Sequence, residues 1–370
     1  MQRMNAVLPA GTNRTRLWGL TPRERLARIA AAQDVDFASG AGGGPLVANL
    51  DFVWDPAWLR WMAERPDHVL TLGGVPVLAH VEDLDARLAV TYAMGHGEAL
   101  AAGALTVIAY EDLGSLGNEA LRKREKPFLG RLTPETVPAL ERASYFGAYK
   151  GVTDLLTKYL WPEWALVLTR WAARFGITPN QVTAVGALLC IAATFLFFEG
   201  YYWTGLAVGL GFMVLDTVDG KLARCTITSS PLGNIFDHGI DLVHPPFWWW
   251  AWGVGLHAYG RPLAGETFAW VLLAIIGGYV VQRVIEGIFM RRYKMHIHVW
   301  RRFDSWFRLI TARRNPNMVI LLAFLAVGRP DWGLIAVAAW TLISLVVHAA
   351  QLVQALAADA RGRPVTSWLA

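Results

Sequence analysis

At 370 residues the chain is long enough for two or three average domains, yet 54% hydrophobic residues, 17% charged residues and 18 tryptophans lie outside the usual soluble range. That balance excludes an ordinary soluble protein and points to a membrane. The net charge of +5 does not imply nucleic acid as a partner, because the basic residues sit beside apolar segments, where the positive-inside preference accounts for them.

The apolar residues are unevenly placed. Everything before about Tyr145 reads as mixed sequence, and the rest is a series of long apolar runs. The stretch Met1 to Arg16 lacks the apolar core of a secretory signal, so no cleaved presequence is expected. The two cysteines, Cys190 and Cys225, suggest neither a disulfide framework nor a thiolate metal site.

In the front region, Pro45 to Trp54, Ala57 to Ala63, Val69 to Leu72 and Val75 to Ala79 alternate short apolar runs with helical patterns. An α/β layer is the simple reading. Gly40, Gly42, Gly43 and Gly44 mark a loop before the first clear strand. The basic run Arg122 to Lys126 precedes a connector punctuated by Pro127, Pro134 and Pro138, which sets the expected domain at 1–140. Thr153 to Phe175 then mixes Trp164, Leu168, Trp171 and Phe175 with Lys158, Arg170 and Arg174, the composition of a helix lying along a membrane surface.

Six spans follow: Asn180 to Phe198, Tyr201 to Ala223, Leu232 to Leu256, Thr267 to Met290, Asn315 to Val327 and Trp332 to Ala357. Most reach the ~20 residues a bilayer requires, and the fifth is short. The predicted fold is an all-α six-helix transmembrane domain over 150–357, preceded by a smaller α/β cytoplasmic domain. Between the fourth and fifth spans lie Arg291, Arg292, Lys294, Arg301, Arg302, Arg308, Arg313 and Arg314, against only Arg261 and Arg329 on the opposite side. Both termini are therefore expected in the cytoplasm, with the protein in the inner membrane. Phe247, Trp248, Trp249, Trp250 and Trp252, far along the third span, read as an interfacial aromatic belt.

Acidic side chains inside spans are costly and usually mark function. Asp216 and Asp219 are three apart on the second span, and Asp237 and Asp241 four apart on the third, so each pair shares a helical face. The short connection Arg224 to Leu232 makes these helices antiparallel neighbours, with the four groups converging at the cytoplasmic side. Without cations they would repel strongly. Oxygen ligands, with no Cys or His at ligand spacing, favour two Mg²⁺ or Mn²⁺ ions, which about 3.5–4 Å apart clamp the entering and leaving oxygens of a phosphoryl group. Gly220, Ala223 and Gly233 are small enough for backbone to approach a phosphate or simply to pack helices; Arg224 either neutralises a phosphate oxygen or snorkels to the interface.

Asp216, Asp219, Gly220, Ala223, Arg224, Gly233, Asp237 and Asp241, at these spacings, resemble the full signature of the CDP-alcohol phosphotransferase family. The resemblance covers about Lys150 to Ala357. It implies a pocket open to the cytoplasm in which Asp216, Asp219 and Asp237 hold metal. Asp241 completes the metal site and serves as the catalytic base, while Gly220, Ala223, Arg224 and Gly233 lie against CDP. The segment Thr178 to Thr183 is similar to the one that opens the family's first span, which brings in Asn180 and Thr183 as nucleotide contacts. Its residues by themselves read as a helix start. Arg283, Arg291 and Arg292 are candidates for a phosphorylated acceptor, although Arg283 and Glu286 are equally spaced to pair with each other.

The partners so implied are a CDP-linked donor, either CDP-diacylglycerol or a CDP-polyol such as CDP-inositol, and a hydroxyl acceptor (polyol, polyol phosphate or lipid). Membrane lipids and a second copy of the chain are the remaining partners. Leu8 to Gly11 with Arg14, Arg16 and Thr21, and Ala48 to Asp51 with Asp55, resemble parts of the nucleotidyltransferase fused to the family's di-inositol-phosphate-forming enzymes, in reduced form. The competing reading is a non-catalytic scaffold or a metal-ion transporter using the aspartate cluster. Neither needs glycine, alanine and arginine at fixed spacing.

Overall fold

The computed structural model describes residues 6–38, 44–100 and 103–370, apart from the side chains of Leu232, Asn234, Asp237 and His238. Gly40, Gly42 and Gly43 of the expected glycine loop lie outside these residues.

The front region is an α/β layer, as its alternation predicts. Strands β1 (Val7–Ala10), β2 (Leu46–Asn49), β4 (His68–Leu72), β5 (Val75–His80) and β6 (Thr106–Ala109) form one sheet in the order β1-β2-β5-β4-β6. It is mixed: β1 runs parallel to β2 and β4 to β6, while β5 is antiparallel to both its neighbours. The run Pro45 to Trp54 splits into β2 and β3 (Phe52–Trp54), because Asn49 accepts the Asp51 amide at 2.9 Å and turns the chain. Helix α1 (Pro22–Ala32) starts at a Thr21 and Glu24 capping box, and α2 (Ala57–Ala63) and α3 (Leu84–His96) follow. The short hairpin of β7 (Leu116–Asn118) with β8 (Lys123–Glu125), and then β9 (Leu129–Arg131), which pairs with the distant β3, lead to α4 (Val137–Gly147).

The rest is helical. A single π turn at Leu156–Leu160 precedes α5 (Pro162–Arg174), which exposes Trp164, Val167 and Trp171 along one side, with Phe175 exposed just past its end, the apolar face expected of a surface-lying helix. Then come α6 (Pro179–Phe198), α7 (Tyr202–Cys225), α8 (Pro231–Gly255), α9 (Gly265–Leu272) continuing through a π turn into α10 (Gly278–Tyr293), the short α11 (Arg302–Phe307), α12 (Arg314–Ala326) and α13 (Pro330–Ala360). Among the described residues, three helices are long and apolar enough to cross a membrane: Pro179–Phe198, Gly265–Tyr293 and Pro330–Ala360. The protein is an integral membrane protein. Helix α12, with 13 residues, reaches only about 20 Å, short of the ~30 Å hydrocarbon core.

The aromatic run on α8 corrects one expectation. Trp248, Trp249 and Trp252 are buried, and only Phe247 and Trp250 face outward. The Trp248 indole donates to the Cys190 carbonyl and that of Trp252 to the Pro330 carbonyl, both at 3.2 Å. These rings fill the space between α6, α7 and α8, with Phe197, Tyr202 and Phe212 against them. A buried indole needs an acceptor for its N–H, which both rings find here, and composition alone does not distinguish a buried ring from an interfacial one.

Candidate active site

Helices α6, α7 and α8 meet at the end nearest the α/β layer. Thr178 opens α6 by accepting the Gln181 amide, with Pro179 in the first turn. Ser230 opens α8 in the same way, accepting the Gly233 amide at 3.0 Å. A Cβ on Gly233 would lie 3.0 Å from Asn180 Oδ1, so the starts of α6 and α8 approach closely there.

Asp216, Asp219 and Asp241 all lie at this end of the helices. Asp219, 3% exposed, accepts the Thr183 hydroxyl at 2.6 Å, and its other oxygen accepts the Gly220 amide at 2.5 Å. Asp216 and Asp241 are bridged by one guanidinium: Arg314 Nη2 donates to Asp216 Oδ2 and Nη1 to Asp241 Oδ1, each at 2.7 Å. Arg314 is 11% exposed, Asp216 16% and Asp241 46%, so Asp241 is the most open of the three. The Asp237 side chain lies outside the described residues. Thr183, Gly186, Phe212, Asp216, Asp219 and Ile240 line a small cavity between the helices.

Gly220 and Arg224 share a face of α7, since a Cβ on Gly220 would stand 3.2 Å from the Arg224 guanidinium. Arg224 Nε donates to the Ala148 carbonyl at 3.1 Å. Ala223 is half-buried on the next position of the same turn. The acceptor candidates do not gather. Arg283 donates to Glu286 at 2.7 Å, the pairing alternative raised by their spacing. Arg292 donates to Asp359 at 3.0 Å, and Arg291 is exposed in the last turn of α10.

Sequence reading missed Arg314, counted there only as a positive charge in a loop. It also missed Lys221, whose buried amine donates to the Ala148 carbonyl at 3.0 Å and lies 3.2 Å from the centre of the Tyr149 ring. No local signal identifies either. Arg314 reaches the site because α12 begins beside α7.

A second group has metal-like spacing. Glu286, His298 and His348 form the one such trio among the described residues. Glu286 Oε1 lies 3.3 Å from His298 Nε2 and 3.5 Å from His348 Nε2. Arg313 Nη2, however, donates to both Glu286 oxygens, at 2.6 and 2.7 Å, and Arg283 donates to one of them. The cation position is taken by a guanidinium with another beside it, and a divalent ion there would meet two positive charges. At the aspartate end Asp216 and Asp241 likewise share a guanidinium, that of Arg314, but a single one, and Asp216 and Asp219 present hard oxygen donors to a small cavity, the donor type a divalent ion takes.

Residues 176–356 match the family described as CDP-alcohol phosphatidyltransferase. The chain is 32% identical over 186 residues to cholinephosphotransferase 1 of Xenopus laevis, covering 46% of this chain and 41% of that one. It is 35% identical over 130 residues to the Gallus gallus protein of the same name, covering 31% and 36%. Against choline/ethanolaminephosphotransferase 1 of Arabidopsis thaliana it is 31% identical over 163 residues, covering 40% and 39%. The matches span about two fifths of the length of these relatives. Residues 176–356, which carry the aspartates of α7 and α8, form a domain that matches the CDP-alcohol phosphatidyltransferase family.

Proposed function

We propose that this protein transfers a substituted phosphate group from a CDP-alcohol to an acceptor hydroxyl, releasing CMP, in the synthesis of phospholipids or polyol phosphodiesters. The observation that carries the reading is that Asp216 and Asp219 line one cavity with Thr183, while Asp241, from the neighbouring helix, shares the Arg314 guanidinium with Asp216. A scaffold or an ion path is disfavoured because neither requires the glycine and arginine that stand together on α7.

Asp216, Asp219, Asp237 and Asp241 are the proposed holders of two Mg²⁺ or Mn²⁺ ions, which when bound supply positive charge against the phosphate oxygens. Gly220, Ala223 and Gly233 leave room for the CDP moiety, with Asn180 and Thr183 at its edge. Arg224 offers donors to the departing CMP. Asp241, the most exposed of the three described carboxylates, accepts the proton of the attacking hydroxyl. Arg283, Arg291 and Arg292 remain weaker candidates for an acceptor phosphate.

The reading includes six spans in the inner membrane, both termini in the cytoplasm, domains at 1–140 and 150–357, and a homodimer as assembly. The front domain is an inactive nucleotidyltransferase-like cap; the loop from Gly11 (φ +92°) to the Thr21 cap joins β1 to α1 where a phosphate loop would run. The relatives' names add choline and ethanolamine to the alcohols a donor should carry.

The test offers purified protein CDP-diacylglycerol, CDP-inositol or CDP-choline, with polyol and diacylglycerol acceptors and Mn²⁺, and measures CMP release. One pair should release CMP, and Asp216→Ala and Asp241→Asn should each reduce it by about a thousandfold or more while inserting into the membrane normally. No CMP from any pair, or an active Asp216→Ala protein, sinks the proposal.

A further inference from the structure

Arg313 and Arg314 are consecutive, yet they serve two different carboxylate groups. Arg313 is anchored on Glu286, donating to both its oxygens at 2.6 and 2.7 Å. Arg314, the first residue of α12, crosses to the aspartate cavity and fills the space between Asp216 and Asp241, with its guanidinium 4.8 Å from the centre of the Phe212 ring and its Nε donating to Asn315 Oδ1 at 2.9 Å. A planar guanidinium that satisfies two carboxylates from different helices neutralises the repulsion that would otherwise separate them. The same oxygens are those assigned above to divalent metal. A guanidinium and a divalent ion compete for one pair of oxygens.

We infer that Arg314 is the built-in counter-ion of the aspartate site: it holds Asp216 and Asp241 together in the metal-free protein and is displaced when divalent metal loads. The inference rests on the two-metal reading of these aspartates. The Arg313 anchor confines the movement to the Arg314 side chain, since the backbone at the start of α12 stays tied to Glu286. Apparent metal affinity is then set partly by how often Arg314 releases the carboxylates. If it holds them about nine-tenths of the time, removing it strengthens apparent binding about tenfold.

The experiment measures Mn²⁺ binding to the full-length protein in detergent by calorimetry or electron paramagnetic resonance, for wild type and Arg314→Gln, without substrate. Arg314→Gln should bind Mn²⁺ about tenfold more tightly. Its metal-free thermal midpoint should fall below that of wild type and recover with Mn²⁺. Unchanged or weaker Mn²⁺ binding in the variant overturns the inference and leaves the two-metal reading standing. No Mn²⁺ binding to wild type overturns both. Should the variant not fold, wild type decides the matter: labelling of Arg314 by an arginine-selective dicarbonyl, read by peptide mass spectrometry, should rise severalfold with Mn²⁺. Labelling that stays level overturns the inference.

Discussion

Asp154 precedes the membrane-surface helix and would pass as a solvated turn residue, yet it is buried and tied to the π turn and to α12. Its Oδ1 accepts the Thr157 amide and the Asn315 side-chain amide, each at 3.0 Å, and its Oδ2 accepts the Thr157 hydroxyl at 2.8 Å. Burial alone would raise its pKa, but the nearby Arg308 charge and these hydrogen bonds hold it below the usual carboxylate value. A carboxyl with a depressed folded-state pKa contributes stability that is present above its unfolded value, about 3.9, and is lost as pH falls through the folded one. Asp154→Asn should therefore destabilise the protein near neutral pH by about 2 kcal/mol. Thermal melts from pH 7 downward should show the gap to wild type narrowing below about pH 4. A gap that stays constant into stronger acid would mean that the charge is not what matters.

Helix placement was legible to within about two residues for most of the helical half, because runs of apolar residues and caps such as Thr178-Pro179 and Ser230-Pro231 are local properties. Side-chain direction was not. Trp248 and Trp252 read as a belt because an apolar helix is apolar whether it faces lipid or its neighbours. Close backbone approach was equally invisible. A Cβ on Gly255 would fall 1.9 Å from the Phe197 carbonyl oxygen and 2.9 Å from the Gly200 nitrogen, both backbone atoms that have no rotamer to yield. Gly255→Ala should thus cost about 3 kcal/mol by forcing the end of α8 away from α6. Thermal unfolding in detergent measures it; an unchanged midpoint would contradict the packing described.

The two halves do not behave as beads on a string. Leu17, Trp18, Val53, Leu132, Leu140 and Tyr145 from the front share one buried cluster with Trp161, Leu166, Phe212 and Trp248 of the helical region. Polar links cross the same boundary: Arg25, which also donates to the Trp54 carbonyl of the front region at 3.3 Å, donates to the Cys225 carbonyl at 3.2 Å, and Arg28 to the Thr226 carbonyl at 2.8 Å. Burial pushes the Arg25 pKa down to about 10, which leaves it charged at neutral pH. Arg25→Ala should lower stability by about 2 kcal/mol and shift the unfolding of both halves together. Near-ultraviolet circular dichroism and protease sensitivity of each half would follow this, and a shift confined to the front region would argue against a shared core.

The sequence by itself determined the membrane character, the α/β layer before it, the helix order and the aspartate spacing, because each depends on residue type and on separation along the chain. The family resemblance carried by Asp216, Asp219, Gly220, Ala223, Arg224, Gly233, Asp237 and Asp241 was likewise complete in the sequence. Only the tertiary structure decided that Thr183 donates to Asp219 and that Arg283 belongs to Glu286. It alone showed that Arg314, 98 residues from Asp216, supplies the cation between two carboxylates. Those contacts depend on how α6, α7, α8, α10 and α12 pack at their ends, and spacing within a helix carries no information about which other helix arrives beside it.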